Sequence, residues 1–522
     1  MARQISRRRF IGEASCAAVG STTLLSTILN MRMTNAAAGF EANQIGSQND
    51  YKALVCVLLA GGNDSFNMLI PLDNDKYGEY QQVRTDLALP QNSLLPLNGT
   101  ADDGRSYGVH PSMPEVQQLY NSGDLAFVAN VGTLVERTTK ANFEAGLANL
   151  PVGLGSHIDQ IAHWQTSVPD KRVGIGWGGR TADLLKSLND NQQISMNISI
   201  SGSNIFQAGN SLVEYAIERT GNGSIGLRGY DDPQNTFHYI KNSLVESLID
   251  QQYQNLFEQT YANTKRMAID NHVQFSGAIG AVTPFTTVFS DNHISQSFEM
   301  VAKTIAARQT LGFRRQTFFI SFGGWDHHDE VLNSQVAMLA ILSQALQEFN
   351  QALIEIGVQD DVTTFTASDF GRTLTTNGRG SDHAWGGNHM VMGGSVKGGQ
   401  IYGEYPDLYS SSDLYTGRGS LIPTTSCDEY FAEMAQWFGV SNADLPTVFP
   451  NLGRFYDINS DGPPVGFLGD GSSAGGGDGN GTIPTRTPMA TPDPQATPAP
   501  GSTPTPTDES LPHTQFLPLV AD

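Results

Sequence analysis

Cysteine is almost absent: Cys16, Cys56 and Cys427 are all that 522 residues carry. Three thiols cannot build a cysteine-based zinc site with closed geometry or a disulfide framework, so the fold has to be held by an apolar core. A single Cys56–Cys427 bridge is open to the chain, but nothing in the sequence argues for it. Cys56 lies inside an apolar run and reads as a small core hydrophobe. Basic residues are also scarce. Thirty Lys and Arg against 52 Asp and Glu leave a formal charge of −22, which excludes sequence-independent nucleic-acid binding, because phosphate contacts need a basic surface. An anionic membrane surface is disfavoured for the same reason. Bilayer-length apolar runs are missing from the body of the chain, and the apolar end at residues 516–521 is far short of the ~20 residues a span needs. No transmembrane segment is expected in the mature chain.

What is present divides the chain into three. Residues 1–38 place Arg7, Arg8 and Arg9 ahead of Phe10 and an apolar, small-residue run that ends near Ala36, Ala37 and Ala38. This is the pattern of a twin-arginine export signal, and it predicts a periplasmic, cell-surface or extracellular protein. Residues 461–522 turn to Gly, Ser and Asp and then to Pro and Thr, the composition of an extended, disordered spacer. Residues 50–460 remain as the folded domain, long enough to bury a large core.

Within that domain the informative stretch is residues 361–399. A β-branched run, 362–366, reads as a buried strand that delivers Ser368 and Asp369 into a loop carrying Arg372, Asp382, His383 and His389. Such a density of carboxylate and imidazole is a metal-ligand pattern. A second strand at 317–322 ends in Gly-Gly-Trp-Asp326-His327-His328-Asp329, and a helical run over 330–356 leads from it to the 362–366 strand. Strand, long helix, strand is a crossover unit, so the two strands should be parallel and Asp326 and Asp369 should emerge at one sheet edge. The continuous apolar run 53–60 breaks into Gly61-Gly62-Asn63-Asp64, which puts Asp64 at a strand end too. The expected fold is α/β, a doubly wound, mostly parallel sheet flanked by helices.

Other stretches are read more simply. Ser112 with Glu115 forms a capping box ahead of a helix. Ser156 opens another helix, either as its N-cap or as a nucleophile beside an anion-binding helix end. His157 and His163 in that helix do not share a face and are weak as a ligand pair. Residues 193–201 alternate as a strand, and a long helical stretch over 235–270 has aromatics at helical spacing, read as core.

Taken together, the twin-arginine leader with LLAGGNDSFNMLIP, GWGGR, GGWDHH, SDFGRT, SDHAWGGNHMVMGGSVKGG and the late WFGV and VFPNLGRF segments resembles a bacterial family known as domain of unknown function 1501, within the alkaline phosphatase-like superfamily. The resemblance implies a sheet with metal ligands at strand C-termini and hydrolysis of phosphate or sulfate esters, as in phosphatases and sulfatases. Carried over residue by residue, Asp64 is similar to the bridging carboxylate, Asp326 and His328 to one metal's Asp and His, Asp369 to the aspartate of a second metal, and His383, with His389 behind it, to the late histidine. One or two divalent ions are implied, Zn²⁺ first, with Mn²⁺, Mg²⁺ or Ca²⁺ as alternatives. Phe370 departs from the family pattern by standing where an imidazole often follows the second aspartate. No Ser or Thr fits a nucleophile motif, leaving Ser156 as the candidate, and Arg372 as the residue to bind an anionic oxygen of a small ester or polysaccharide substrate. The rival is a non-catalytic envelope or extracellular binding protein that keeps the fold, with or without a structural metal.

Overall fold

The computed structural model describes residues 50–101, 103–227, 230, 234–460 and 462–469. The leader, residues 1–38, and most of the Gly/Ser and Pro/Thr tail lie outside the described residues. In chain order the elements that matter are β1 (Lys52–Ala60), α1 (Asn74–Arg84), α2 (Pro114–Ser122), β2 (Leu125–Gly132), α3 (His157–Thr166), α4 (Trp177–Leu185), β3 (Asn197–Ser199) and β4 (Tyr215–Ala216). They continue through α5 (Thr236–Ile249), α6 (Leu256–Gly280), α7 (His293–Ala306), β5 (Arg315–Gly323), α8 (Val331–Glu355), β6 (Val362–Ser368), β7 (Arg372–Thr376), β8 (Ser381–His383), β9 (Gly387–Met392), β10 (Ile401–Tyr402), β11 (Thr425–Ser426) and α9 (Cys427–Phe438).

The main sheet runs β10-β2-β9-β6-β1-β5-β3-β4, with β11 also paired to β2. β1 pairs parallel with both β5 and β6, and only β9 runs against its neighbours β2 and β6. This is the expected α/β architecture, a mixed, mostly parallel sheet between helices. β1 is central because its apolar run is continuous: Ala53, Leu54, Val55 and Val57 have no exposed surface, so side chains on both faces are covered. Full burial of each branched side chain contributes at most about 1.5–3 kcal/mol. The crossover from β5 through α8 to β6 places Gly323 beside Ala60 and Ser368 beside Leu59. Asp64, Asp326 and Asp369 therefore all follow the C-terminal ends of adjacent strands.

Several local expectations are corrected. Ser112 is not a cap: α2 starts at Pro114 with Met113 as N-cap, and the Glu115 carboxylate accepts the Ser343 hydroxyl instead. The 193–201 strand shrinks to Asn197–Ser199, because residues before it are spent on an Asn191 side-chain turn to Gln193 and Ile194. The 235–270 stretch is two helices, and its aromatics are not core: Phe237, Tyr239, Phe257 and Tyr261 are all exposed. Cys56 and Cys427 are separate buried thiols. Packing also runs past residue 460, since Phe467 and Leu468 are buried and the Glu433 carboxylate accepts the backbone N–H groups of Val465, Gly466 and Leu468. No helix of the described residues is long and apolar enough to cross a membrane.

Candidate metal centre

The loops after β1, β5 and β6 are brought together by backbone contact before any side chain acts. Gly61 has φ +121°, and a Cβ there would sit 2.4 Å from the Asp326 backbone nitrogen. Only glycine allows this approach. Gly62 is likewise pressed on the loop after β6, where a Cβ would sit 2.6 Å from the Phe370 ring. The Gly61 N–H then donates to Asp369 Oδ1 at 3.0 Å, and its carbonyl accepts Arg372 Nη1 at 3.1 Å.

Around this frame three imidazoles converge on Asp326. His157 Nε2 lies 3.3 Å from Asp326 Oδ2. His328 Nε2 and His383 Nε2 lie 3.1 Å and 3.3 Å from Asp326 Oδ1, and 2.9 Å from each other. One atom each from His157, Asp326 and His383 falls within a 4.8 Å group.

Each ring is held from behind through Nδ1. His383 Nδ1 is 2.8 Å from the Gly155 carbonyl, which can only accept, so Nδ1 carries the proton. His328 Nδ1 is 3.0 Å from Asp382 Oδ1. Burial works against the charged form of Asp382, but bonds from Asn377, His328 and Arg418 outweigh it and hold it down at about 2. It is therefore an ionised acceptor. His157 Nδ1 is 2.6 Å from Asp369 Oδ2. These partners place a proton on Nδ1 of all three rings, so Nε2, which faces Asp326 in each, is the atom that can offer a lone pair to a cation. His157 Nε2 is buried with no hydrogen-bond donor facing it.

Lone pairs facing one another at these distances are repulsive unless a cation sits among them. Zn²⁺–N and Zn²⁺–O bonds of about 2.0–2.1 Å imply ligand-to-ligand edges of roughly 3.3 Å in a tetrahedron; the four contacts here run from 2.9 to 3.3 Å, with His328 outside the group that His157, Asp326 and His383 form. The donor set thus fits a divalent ion, and a carboxylate or carbonyl behind each histidine is the support such ligands need.

Arg372 lies beneath the cluster. It is fully buried, with Nη1 2.7 Å from Asp326 Oδ1 and Nη2 donating to the Ser381 carbonyl at 2.5 Å. Burial alone would raise the Asp326 pKa, but the Arg372 bond and charge lower it. Desolvation first, and then the nearby His157 and Arg372, hold the His383 pKa down, which keeps it a neutral donor.

The sequence candidates separate on this geometry. Asp326, His328 and His383 are brought together. Asp369 comes close but faces His157 and Gly61 with both oxygens, so it orients a ring rather than presenting a free ligand atom. Asp64 is elsewhere: fully buried, it ion-pairs with Arg84 at 2.7 Å and accepts the Ser381 hydroxyl at 2.9 Å. His389 is buried beside Trp164, 4.6 Å between ring centroids, and desolvation drives its pKa down to about 3; it is a neutral core residue. Arg372 is committed to Asp326 and two carbonyls and does not face solvent. Ser156 makes no N-cap bond, and Asp159, in the first turn of the helix it opens, is held by Arg172 at 2.5 Å. His157 was the residue missed. The sequence set it against His163, whereas its partners arrive from β5, β6 and β8, more than 150 residues later. Its signal was position, a histidine at a helix start just after the glycine-rich turn at Gly153 and Gly155. Phe370 fills the place of the expected second imidazole, with its ring 4.9 Å from His157 and 4.5 Å from His383.

Fold and cluster together define an α/β protein with a candidate His/Asp metal centre at the C-terminal edge of its sheet. The family model described as Protein of unknown function (DUF1501) matches residues 51–442; the chain belongs to that family. No curated protein matches it. Among solved structures, it is similar to Ps i-CgsB in complex with k-i-k-neocarrahexaose, at 10% identity over 78% of each chain with a TM-score of 0.31. It is also similar to the lipoteichoic acid synthase LtaP from Listeria monocytogenes, at 10% identity over 68% of each chain and a TM-score of 0.28. The PsFucS1 sulfatase from Pseudoalteromonas sp. stands at 12% identity, 72% of this chain, 68% of that chain and a TM-score of 0.28. Likeness at that level transfers no chemistry.

Proposed function

We propose that this protein is an exported, metal-dependent hydrolase of phosphate or sulfate esters. The observation that carries the reading is the convergence of three Nε2 atoms and Asp326, each ring locked from behind. His157, Asp326 and His383 would hold one divalent ion, Zn²⁺ by its donor set, with His328 beside them against Asp326 and His383. The centre takes one ion in this reading, because Asp64 is paired with Arg84 through Oδ2 and both oxygens of Asp369 are taken by Gly61 and His157. A bound divalent ion supplies Lewis-acid polarisation of an ester oxygen.

The chain's own residues do the rest. Asp326 and His328 are each 44% exposed, so the centre is open to an ester group in a way a closed structural site is not. Arg418, half-exposed and paired with Asp382, offers a guanidinium to the anionic oxygens of the ester. Phe370 walls the cluster, and Arg372 positions Asp326. The substrate class is a small anionic ester or the ester groups of a polysaccharide. Twin-arginine export, which carries folded proteins, is part of the proposal because the cluster is assembled only in the folded chain.

One observation favours the non-catalytic rival: Ser65, next to Asp64 in the loop after β1, has its Oγ buried against the Asn388 N–H at 2.8 Å, so it presents no hydroxyl to attack a substrate. Elemental analysis of the exported protein, followed by aryl phosphate, phosphodiester and aryl sulfate substrates, separates the readings. Stoichiometric metal with turnover lost in chelator supports the hydrolase. Metal without turnover supports the rival. No metal, with stability unchanged in chelator, sinks the hydrolase.

A further inference from the structure

The arm formed by α5 and α6 is built to order yet buries little of itself. Asn235 caps α5, accepting the Phe237 and His238 N–H groups at 3.1 and 3.3 Å, and Asn255 caps α6 through the Phe257 N–H at 2.9 Å. Arg266 on α6 clasps Glu246 and Asp250 at 2.5 and 2.6 Å. Even so, α5 contains 14 residues and not one is buried. Isolated helices of ~12–15 residues are marginal in water, and protein helices persist by packing an apolar face.

That face exists and is uncovered. Phe237, Ile240, Leu244 and Leu248 recur at i, i+3, i+7 and i+11 along α5, with exposures of 71, 53, 61 and 56%. On α6, Leu256 and Phe257 are 76 and 84% exposed and Tyr261 is 66%. A large apolar side chain presents roughly 100–150 Å² at such exposures, so the arm offers on the order of 800–1,000 Å². Monomer surfaces rarely carry patches above ~600 Å², while a standard interface takes ~800 Å² from each partner.

We propose that two copies of this chain dimerise through the α5–α6 arm, apolar stripe on apolar stripe about a two-fold axis. The area matches what one subunit of a stable dimer contributes. Charge permits it: between residues 236 and 280 three bases (Lys241, Lys265, Arg266) face four acids (Glu246, Asp250, Glu258, Asp270), so the arm is near neutral while the whole chain is at −22. The same balance disfavours an anionic lipid surface, which attracts basic segments. An isologous helical pairing needs only this one patch on each subunit.

Sedimentation equilibrium of the mature chain at micromolar concentration tests the proposal. A dimer is expected, and in Leu244→Glu and Phe257→Glu its dissociation constant rises roughly tenfold or more, with far-UV dichroism outside the arm's contribution and metal content unchanged. Both positions are exposed in the monomer, so loss of folding is not expected, and metal content reports the core independently. A monomer at all concentrations overturns the proposal, as does a dimer indifferent to both variants. Dimerisation that appears only when residues 471–522 are removed would show that the chain's own apolar end occupies the stripe, and flotation with anionic vesicles would show that lipid does; either result overturns it.

Discussion

Asp369→Asn isolates the second-layer argument. The substitution is nearly isosteric, so it adds no cavity, but it replaces a group that accepts on both oxygens by one that accepts on one side and donates on the other. In the native chain Oδ1 takes the Gly61 N–H at 3.0 Å and Oδ2 the His157 ring at 2.6 Å. Kept facing Gly61, the amide oxygen forces the NH₂ toward His157 Nδ1. The ring then changes tautomer, and its Nε2 carries a hydrogen pointing at Asp326 instead of a lone pair. One ligand is lost, and outer-shell substitutions of this kind cost about 10–100-fold in affinity, or roughly 1.4–2.7 kcal/mol. Flipped the other way, the amide keeps the His157 tautomer but sets two donors face to face at a buried N–H, costing about 1–3 kcal/mol of stability. Zn²⁺ affinity measured by competition with a chelating dye, alongside thermal unfolding of the metal-free and metal-loaded forms, reads both branches. A variant with affinity within about twofold of the parent and an unchanged melting point would show that Asp369 does not orient His157.

Arg84→Met strands Asp64 as a buried, uncompensated charge and should cost about 3–5 kcal/mol in urea unfolding; a loss below about 1 kcal/mol would mean the pair is not buried in solution. His389→Gln should leave metal content intact, whereas His383→Ala should lose it, and the reverse result would exchange the two residues' assignments. Asp428 is wholly buried, and desolvation pushes its pKa up to about 7. The folded state therefore binds its proton more tightly than the unfolded state, so this contribution is full below about pH 4 and is lost as pH rises through 7. Asp428→Asn should remove it, and the stability difference between parent and variant should shift in the variant's favour from pH 5 to pH 8 by about 2.6 kcal/mol; a flat difference refutes the burial argument.

Strand ends were legible in the sequence because continuous apolar runs need no tertiary knowledge: residues 53–60 and 362–366 mark β1 and β6 within two residues. The crossover followed from length alone, since a helix as long as α8 between two such strands leaves few other topologies. Partnerships were less legible. Asp64 and Asp326 look alike on paper, each an aspartate just past a strand, yet Arg84 from α1 neutralises one while Arg372 supports the other from below and leaves a face open. Nothing local distinguishes them. His157 was hidden for the same reason, because a ligand's partners are set by where loops meet. The α5 and α6 aromatics were misassigned since helical periodicity states that a face is apolar and cannot state whether its cover belongs to the same chain.

The charge bonded to the cluster bears on what the centre can attract. Asp326, Asp369 and Asp382 contribute three negative charges and Arg372 and Arg418 two positive ones, leaving −1. A divalent ion turns this to +1. On a chain at −22 an anionic ester is repelled from most of the surface, and a cleft whose sign differs from its surroundings focuses the field on itself. On the proposed reading cation and anionic substrate would be linked: the ion would give the cluster a positive balance, and an anion bound beside it would offset that charge in turn, tightening the ion by the same factor. The carboxylates behind the histidines then have two effects, fixing the ring tautomers and keeping the unfilled centre negative enough to collect the ion. Without Arg372 and Arg418 the filled centre would be at −1, and a dication would bind yet leave an ester repelled. The two guanidiniums, one buried to hold Asp326 and one half-exposed on Asp382, are what allow a single ion to reverse the sign.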